Sequence, residues 1–229
     1  SALRALATYG TQELAATVIE RLGDPDLNVR VQALAALGQL RGAQSADELA
    51  VYIDEGAFAI RRQALLSLAR AAGPAALDPV RKWRTDPDFR LRSTAAEALG
   101  VIGGDSAVAA LELMVRDKDG RVAAAAASAL GDADPARAFN VLRTMTNHED
   151  PIVRAFVAAR FAARDDTSGV AALLDLYARA ARDPIPDARI AAVTGLGRLS
   201  RAPGAGTLVV DAVLRRFPTC DDYLLRRVA

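Results

Sequence analysis

The stretch Asp24-Pro25-Asp26-Leu27-Asn28-Val29-Arg30-Val31-Gln32-Ala33-Leu34-Ala35-Ala36-Leu37-Gly38 decides the fold, because stepping forward by 31 residues finds it again and again. Arg30 leads to Arg61, Arg92, Ala123 and Arg154, and Leu37 leads to Leu68, Leu99, Leu130 and Phe161. Gly38 leads to Ala69, Gly100, Gly131 and Ala162. Two later copies follow at Arg189 and Arg226, after steps of 35 and 37. A fixed period of this length is the mark of a stacked repeat architecture, in which each unit buries its apolar face only against its neighbours.

Inside the repeat, Val29, Ala33 and Leu37 fall at i, i+4 and i+8, one face of a helix. A second helical pattern lies between these segments, marked by Val18, Leu49, Val80, Leu111, Leu142, Leu173 and Leu208. Ala15, Val18 and Leu22 show its i, i+3, i+7 spacing, and no segment sustains the alternation of a strand. Each repeat therefore reads as a helical hairpin. Asp-Pro at 24, 86 and 183 predicts a capping side chain followed by a residue with fixed φ, so that the second helix starts just beyond. Gly42, Gly73 and Gly104 punctuate the links between hairpins.

From each second-helix arginine to the next first-helix marker the spacing stays at 19, including Arg154 to Leu173 and Arg189 to Leu208. The length variation lies inside the hairpins. It grows from 12 residues in the early repeats to 16 between Leu173 and Arg189 and 18 between Leu208 and Arg226. Four extra residues make about one helical turn, so the sixth hairpin is expected to lengthen through Ala178 to Arg182 with its buried face unrotated. The expected organisation is a single all-α solenoid over 1–229. Its repeats are 11–41, 42–72, 73–103, 104–134, 135–165 and 166–200, flanked by partial repeats at 1–10 and 201–229. Ala2, Leu3 and Leu6 take the places of Ala33, Leu34 and Leu37, and the last copy stops just past Arg226, so the native protein is expected to continue in at least one direction, within a larger chain or complex.

The pattern D-P-D-x-x-V-R-x-x-A-L-x-A-L-G at this period resembles the short HEAT-like repeats first described in phycobilin lyase subunits and widespread in bacteria. The resemblance implies a right-handed α-α superhelix of about seven hairpins, truncated at the ends, with second helices lining the concave face and first helices the convex one. It also implies a structural ladder of acids and arginines six residues apart, matched at Asp24/Arg30, Asp86/Arg92 and Asp183/Arg189, with Glu55/Arg61 as a variant. The ladder departs from the pattern at Asp117/Ala123, His148/Arg154 and Cys220/Arg226. Between Ala123 and Ala127 the helix is pure alanine, which suggests tight packing or a local change of curvature.

Composition bounds the function. The 229 residues are 52% hydrophobic and 25% charged, with a net charge of +1, and the positive charge is almost entirely arginine, since Lys82 and Lys118 are the only lysines. A dedicated nucleic-acid binder is far more basic, so no nucleic-acid partner is expected. No uncharged apolar run reaches membrane-spanning length, so no membrane partner is expected, and the compartment stays open. One cysteine (Cys220) and one histidine (His148) leave no ligand set for a metal and no disulfide. There is no phosphate-binding glycine loop and no nucleophile elbow, so neither cofactor nor enzymatic activity is expected of this segment.

His148 stands at an acid position of the ladder and reads as a turn residue. Tyr52, Trp83, Met114 and Met145, each three residues past a first-helix marker, read as a packing stripe. The expected function is a scaffold that binds a protein or peptide on the second-helix face. In the register of Gln32, Ala35, Ala36 and Gln39 this face carries Gln63, Leu66, Ser67 and Arg70, then Thr94, Glu97 and Val101, then Ser128 and Asp132. Phe156 with Arg160, and Thr194 with Arg198, follow in the same register. Phe156, Arg160 and Arg198 are the candidate contact cluster, because aromatic and arginine side chains dominate interface energetics, the competing reading being that Phe156 packs against its neighbouring helix.

Two other functions compete. Iron-dependent hydroxylases and DNA glycosylases with such repeats resemble the chain in architecture, but the former need His-Glu pairs and the latter a basic, aromatic cleft. The third possibility is an accessory or substrate-presenting module of a larger bacterial enzyme, of prolyl isomerase or lyase type.

Overall fold

The computed structural model describes residues 14–40, 42–54, 56–164 and 167–201. Among these residues there is no strand, and the helices come in pairs. The chain divides into two compact units, Ser1–Arg137 and Ala138–Ala229.

The first unit contains α1 (Ala15–Glu20), α2 (Leu27–Leu40), α3 (Ala46–Val51), α4 (Phe58–Ala72), α5 (Leu77–Lys82), α6 (Phe89–Ile102), α7 (Gly104–Met114) and α8 (Gly120–Ala133). Odd helices are the short first members of each hairpin and even helices the long second members. Successive second helices pack side by side, α2 on α4, α4 on α6 and α6 on α8, while each first helix packs on its own partner. The first-helix markers Val18, Leu49, Val80 and Leu111 are fully buried, and Leu37, Leu68, Leu99 and Leu130 are 3% exposed or less. Burying a leucine is worth roughly 2 kcal/mol, and a lone hairpin has no second wall to bury it against, so each pair depends on the next.

Turn chemistry follows the sequence with one shift. Asp86 turns the chain, its Oδ1 accepting the Asp88 N–H at 2.8 Å, but the residue that caps α6 is Asp88, which accepts the Arg90 N–H at 2.9 Å. Asp119 caps α8 in the same way. Two acids in series thus satisfy N–H groups that the helix itself cannot. Gly73 and Gly104 carry φ of +51° and +75°, the left-handed region in which only glycine is free of strain.

The second unit contains most of α9 (Pro135–Met145), with α10 (Pro151–Ala162), α11 (Val170–Arg179) and α12 (Asp187–Leu199). Second helices α10 and α12 pack together, as in the first unit. Leu142, Leu173, Phe161 and Leu196 form the core, and the Phe139 ring meets Phe161 edge-on with centroids 5.6 Å apart. The longer sixth hairpin is accommodated in α11, which runs to Arg179 and ends in a 3-10 turn, Ala180–Arg182, with Ala180 buried. Its second helix starts after Pro186 with no side-chain cap.

Candidate protein-binding face

The ladder is built between repeats. Arg92 does not reach the carboxylate six residues before it; its Nε and Nη2 donate to both oxygens of Asp117 at 2.7 and 2.8 Å, and its Nη1 donates to the backbone carbonyl of Asp86 at 2.9 Å. Arg154 likewise bridges to Asp183 and donates to the carbonyls of His148 and Glu149. Arg61 lies 3.8 Å from Asp86 and stacks over the buried Trp83 ring at 4.2 Å. Asp24 accepts from the Asp26 N–H, Arg30 has no hydrogen-bond partner for its Nε among the described residues, and Arg189 donates to the Tyr177 hydroxyl at 3.1 Å. Glu55, Cys220, Leu208 and Arg226 lie outside the described residues.

Electrostatics agree with geometry. Burial pushes the Asp117 carboxyl up, but the Arg92 hydrogen bonds and the Asp119 N–H more than offset it, so the group sits below the ordinary carboxylate range. Arg92 is raised by the same pairing, against the pull of burial. Asp88 and Asp119 are held down by Arg90 and Arg121, which clamp them at 2.6 and 2.7 Å.

A second ladder escaped the sequence reading. Arg90 lies over the Phe58 ring at 4.6 Å, and Arg121 over Phe89 at 3.4 Å. The signal was present: Phe58 and Phe89, and Arg90 and Arg121, are each 31 apart. Cation-π contact across the repeat boundary ties together the starts of α4, α6 and α8.

The second-helix face is only partly open. Ala36, Ser67, Ala98 and Ala129 share one register position and are buried where neighbouring second helices touch. Leu66 is 5% exposed, part of the core and not of the open surface, and Thr94 is buried with its hydroxyl donating to the Arg90 carbonyl. Arg70 is exposed at the end of α4. In the second unit Phe156 and Arg160 are half-buried along α10, while Thr194 and Arg198 are exposed along α12. Those two helices meet through small residues, since a Cβ on Gly195 would lie 2.7 Å from the Ala162 Cβ. His148 is a turn residue, its Nδ1 accepting the Asp150 N–H at 3.1 Å. Trp83, Met114 and Met145 are buried, and Tyr52 is half-buried.

What the face does contain is a groove of about 400 Å³ between α6 and α8, lined by Glu97, Gly100, Val101, Ala125, Ser128, Ala129 and Asp132. Small residues create it. A Cβ on Gly100 would lie 2.9 Å from the Ala129 Cβ, so the two backbones approach closely. Ala125 and Ser128 raise no wall above them. Val101 keeps 45% of its surface in water, and Glu97 is clamped from α4 by Arg62 at 2.7 Å. In the second unit a concavity of about 540 Å³ opens between first helices α9 and α11, with Phe139, Arg143, Asn147, Ser168 and Asp175 on its walls. Among the described residues no cluster of three or more His, Cys, Asp or Glu can hold a metal, and no helix is long and apolar enough to cross a membrane.

The sequence profile of HEAT repeats matches residues 1–66, 48–130 and 110–182. No curated protein sequence matches the chain. Among solved structures, Escherichia coli YibA aligns over 99% of this chain and 83% of its own, with a TM-score of 0.58 and 19% identity, a likeness of fold. The complex of CpcE and CpcF of phycocyanin lyase from Nostoc aligns over 88% of this chain and 94% of its own, with a TM-score of 0.41 and 16% identity.

Proposed function

We propose that this chain, which belongs to the HEAT-repeat family, is a protein-interaction scaffold that receives a protein or peptide segment in the groove between α6 and α8. Stacked hairpins make extended surfaces whose backbone is fixed by helix packing, and such surfaces bind partners without paying to order a loop. The groove carries this reading. It joins a floor of small side chains to an exposed valine on a rigid pair of helices, and shape of that kind accepts side chains from a partner. On the same helix face of the second unit, Phe156, Arg160, Thr194 and Arg198 are proposed as further partner contacts, because aromatic and arginine side chains supply most of the energy where they are buried on binding.

A random peptide library displayed against the folded chain tests the proposal. Enriched peptides are expected to lose binding to the Ser128→Arg variant, whose long side chain starts from the half-buried groove wall and fills the groove. The second unit's contacts are tested by themselves: Phe156→Ala plus Arg160→Ala is expected to weaken peptides selected against that face. Peptides that bind wild type and Ser128→Arg equally would place the interaction elsewhere.

A further inference from the structure

We infer that the segment held in the α6–α8 groove presents a lysine or arginine side chain to Asp132 and Glu97, next to an aliphatic residue seated on Val101. The inference rests on the reading that the groove takes a peptide, and adds the chemistry of that peptide. The lining contains two carboxylates and no cation. Their situations differ. Arg62 reaches Glu97 from α4 through Oε2, so one of the two charges is already offset. Asp132 is exposed and makes no ion pair or hydrogen bond through its side chain among the described residues.

Position sharpens the demand at Asp132. It lies in the last turn of α8 (Gly120–Ala133), where free backbone carbonyls already gather partial negative charge. An acid there is a cost to the helix, and a cation brought by a partner relieves both the carboxylate and the helix end. The same field repels a phosphate, so neither a nucleic-acid backbone nor a phosphopeptide suits the groove. Gly100, Ala125, Ser128 and Ala129 leave room for the long apolar stem of a basic side chain to lie along the floor while its charged head stays at the rim. Val101, with nearly half its surface in water, offers the adjacent apolar contact.

The displayed-peptide selection described above discriminates when its products are retested on charge variants. Enriched sequences are expected to carry Lys or Arg beside Val, Leu or Ile. Asp132→Asn is expected to weaken a labelled enriched peptide about fivefold in fluorescence anisotropy, an exposed pair being modest, and Glu97→Gln by less. Raising the salt should weaken wild-type binding and leave Asp132→Asn less affected. Enriched peptides that Ser128→Arg abolishes but that lack basic residues, or that ignore Asp132→Asn and salt, overturn this inference and leave the groove reading standing. Peptides indifferent to Ser128→Arg, or no enrichment at all, overturn both.

Discussion

The guanidinium of Arg92 closes on both carboxylate oxygens of Asp117, twenty-five residues further along the chain and one hairpin away, with both partners nearly buried. Removing either member strands the other charge out of water. Asp117→Ala is therefore expected to cost about 3–5 kcal/mol, and Arg92→Ala a similar amount. The double replacement Arg92→Met with Asp117→Leu should cost less than either single change, since no charge is left behind. Urea denaturation of the four proteins reads the coupling, and additive effects would mean that the pair is incidental.

The same contact sets a pH dependence. The folded carboxyl of Asp117 lies below the ordinary value near 3.9, so the unfolded chain takes up protons first as the solution is acidified. Its stabilising effect is present in full above about pH 4 and is lost as pH falls through the folded value. Melting temperatures between pH 7 and pH 3 should fall more steeply below pH 4 for the wild type than for the Met/Leu double variant. Parallel curves would remove Asp117 as a contributor to acid lability.

His148 does the work that Asp24, Asp86 and Asp117 do in other turns: they accept the N–H two residues on at 2.9, 2.8 and 2.8 Å, and the imidazole accepts it at 3.1 Å. His148→Asp is expected to leave stability within about 0.5 kcal/mol, whereas His148→Ala, with no acceptor, should lose about 1 kcal/mol. Thermal melts of the two variants decide it. Equal losses for Asp and Ala would mean that the turn does not depend on the acceptor.

The sequence disclosed the hairpins because a 31-residue period survives in large apolar residues, and Leu37, Leu68, Leu99 and Leu130 have no alternative but burial. It disclosed the ladder residues without their partners. Spacing six residues apart suggested Asp86 with Arg92, but the two sit in one turn, where the arginine serves the Asp86 carbonyl and sends its charge across to Asp117. Leu66 shows the limit of register on a stacked helix. A residue that faces away from its own hairpin can still be covered by the next second helix, and the extent of that cover depends on how closely the two helices approach, which register does not encode. The groove itself was invisible for a related reason: it arises from the absence of side chains at Gly100, Ala125 and Ala129, and small residues carry no periodic signal of their own.

That absence can be tested directly. Gly100 lies at a close approach of α6 to α8, where a Cβ would stand 2.9 Å from the Ala129 Cβ and 3.4 Å from the Ala129 carbonyl oxygen. Gly197, on the exposed side of α12, would have nothing within 4 Å of a new Cβ. Both glycines are helical, so both substitutions gain helix propensity, and only packing separates them. Gly100→Val is expected to destabilise by about 1–3 kcal/mol through overpacking. Gly197→Ala should stabilise by up to about 1 kcal/mol. Opposite shifts in thermal midpoint follow if the second helices meet through Gly100, and shifts of the same sign would mean that the close approach which shapes the groove does not exist in solution.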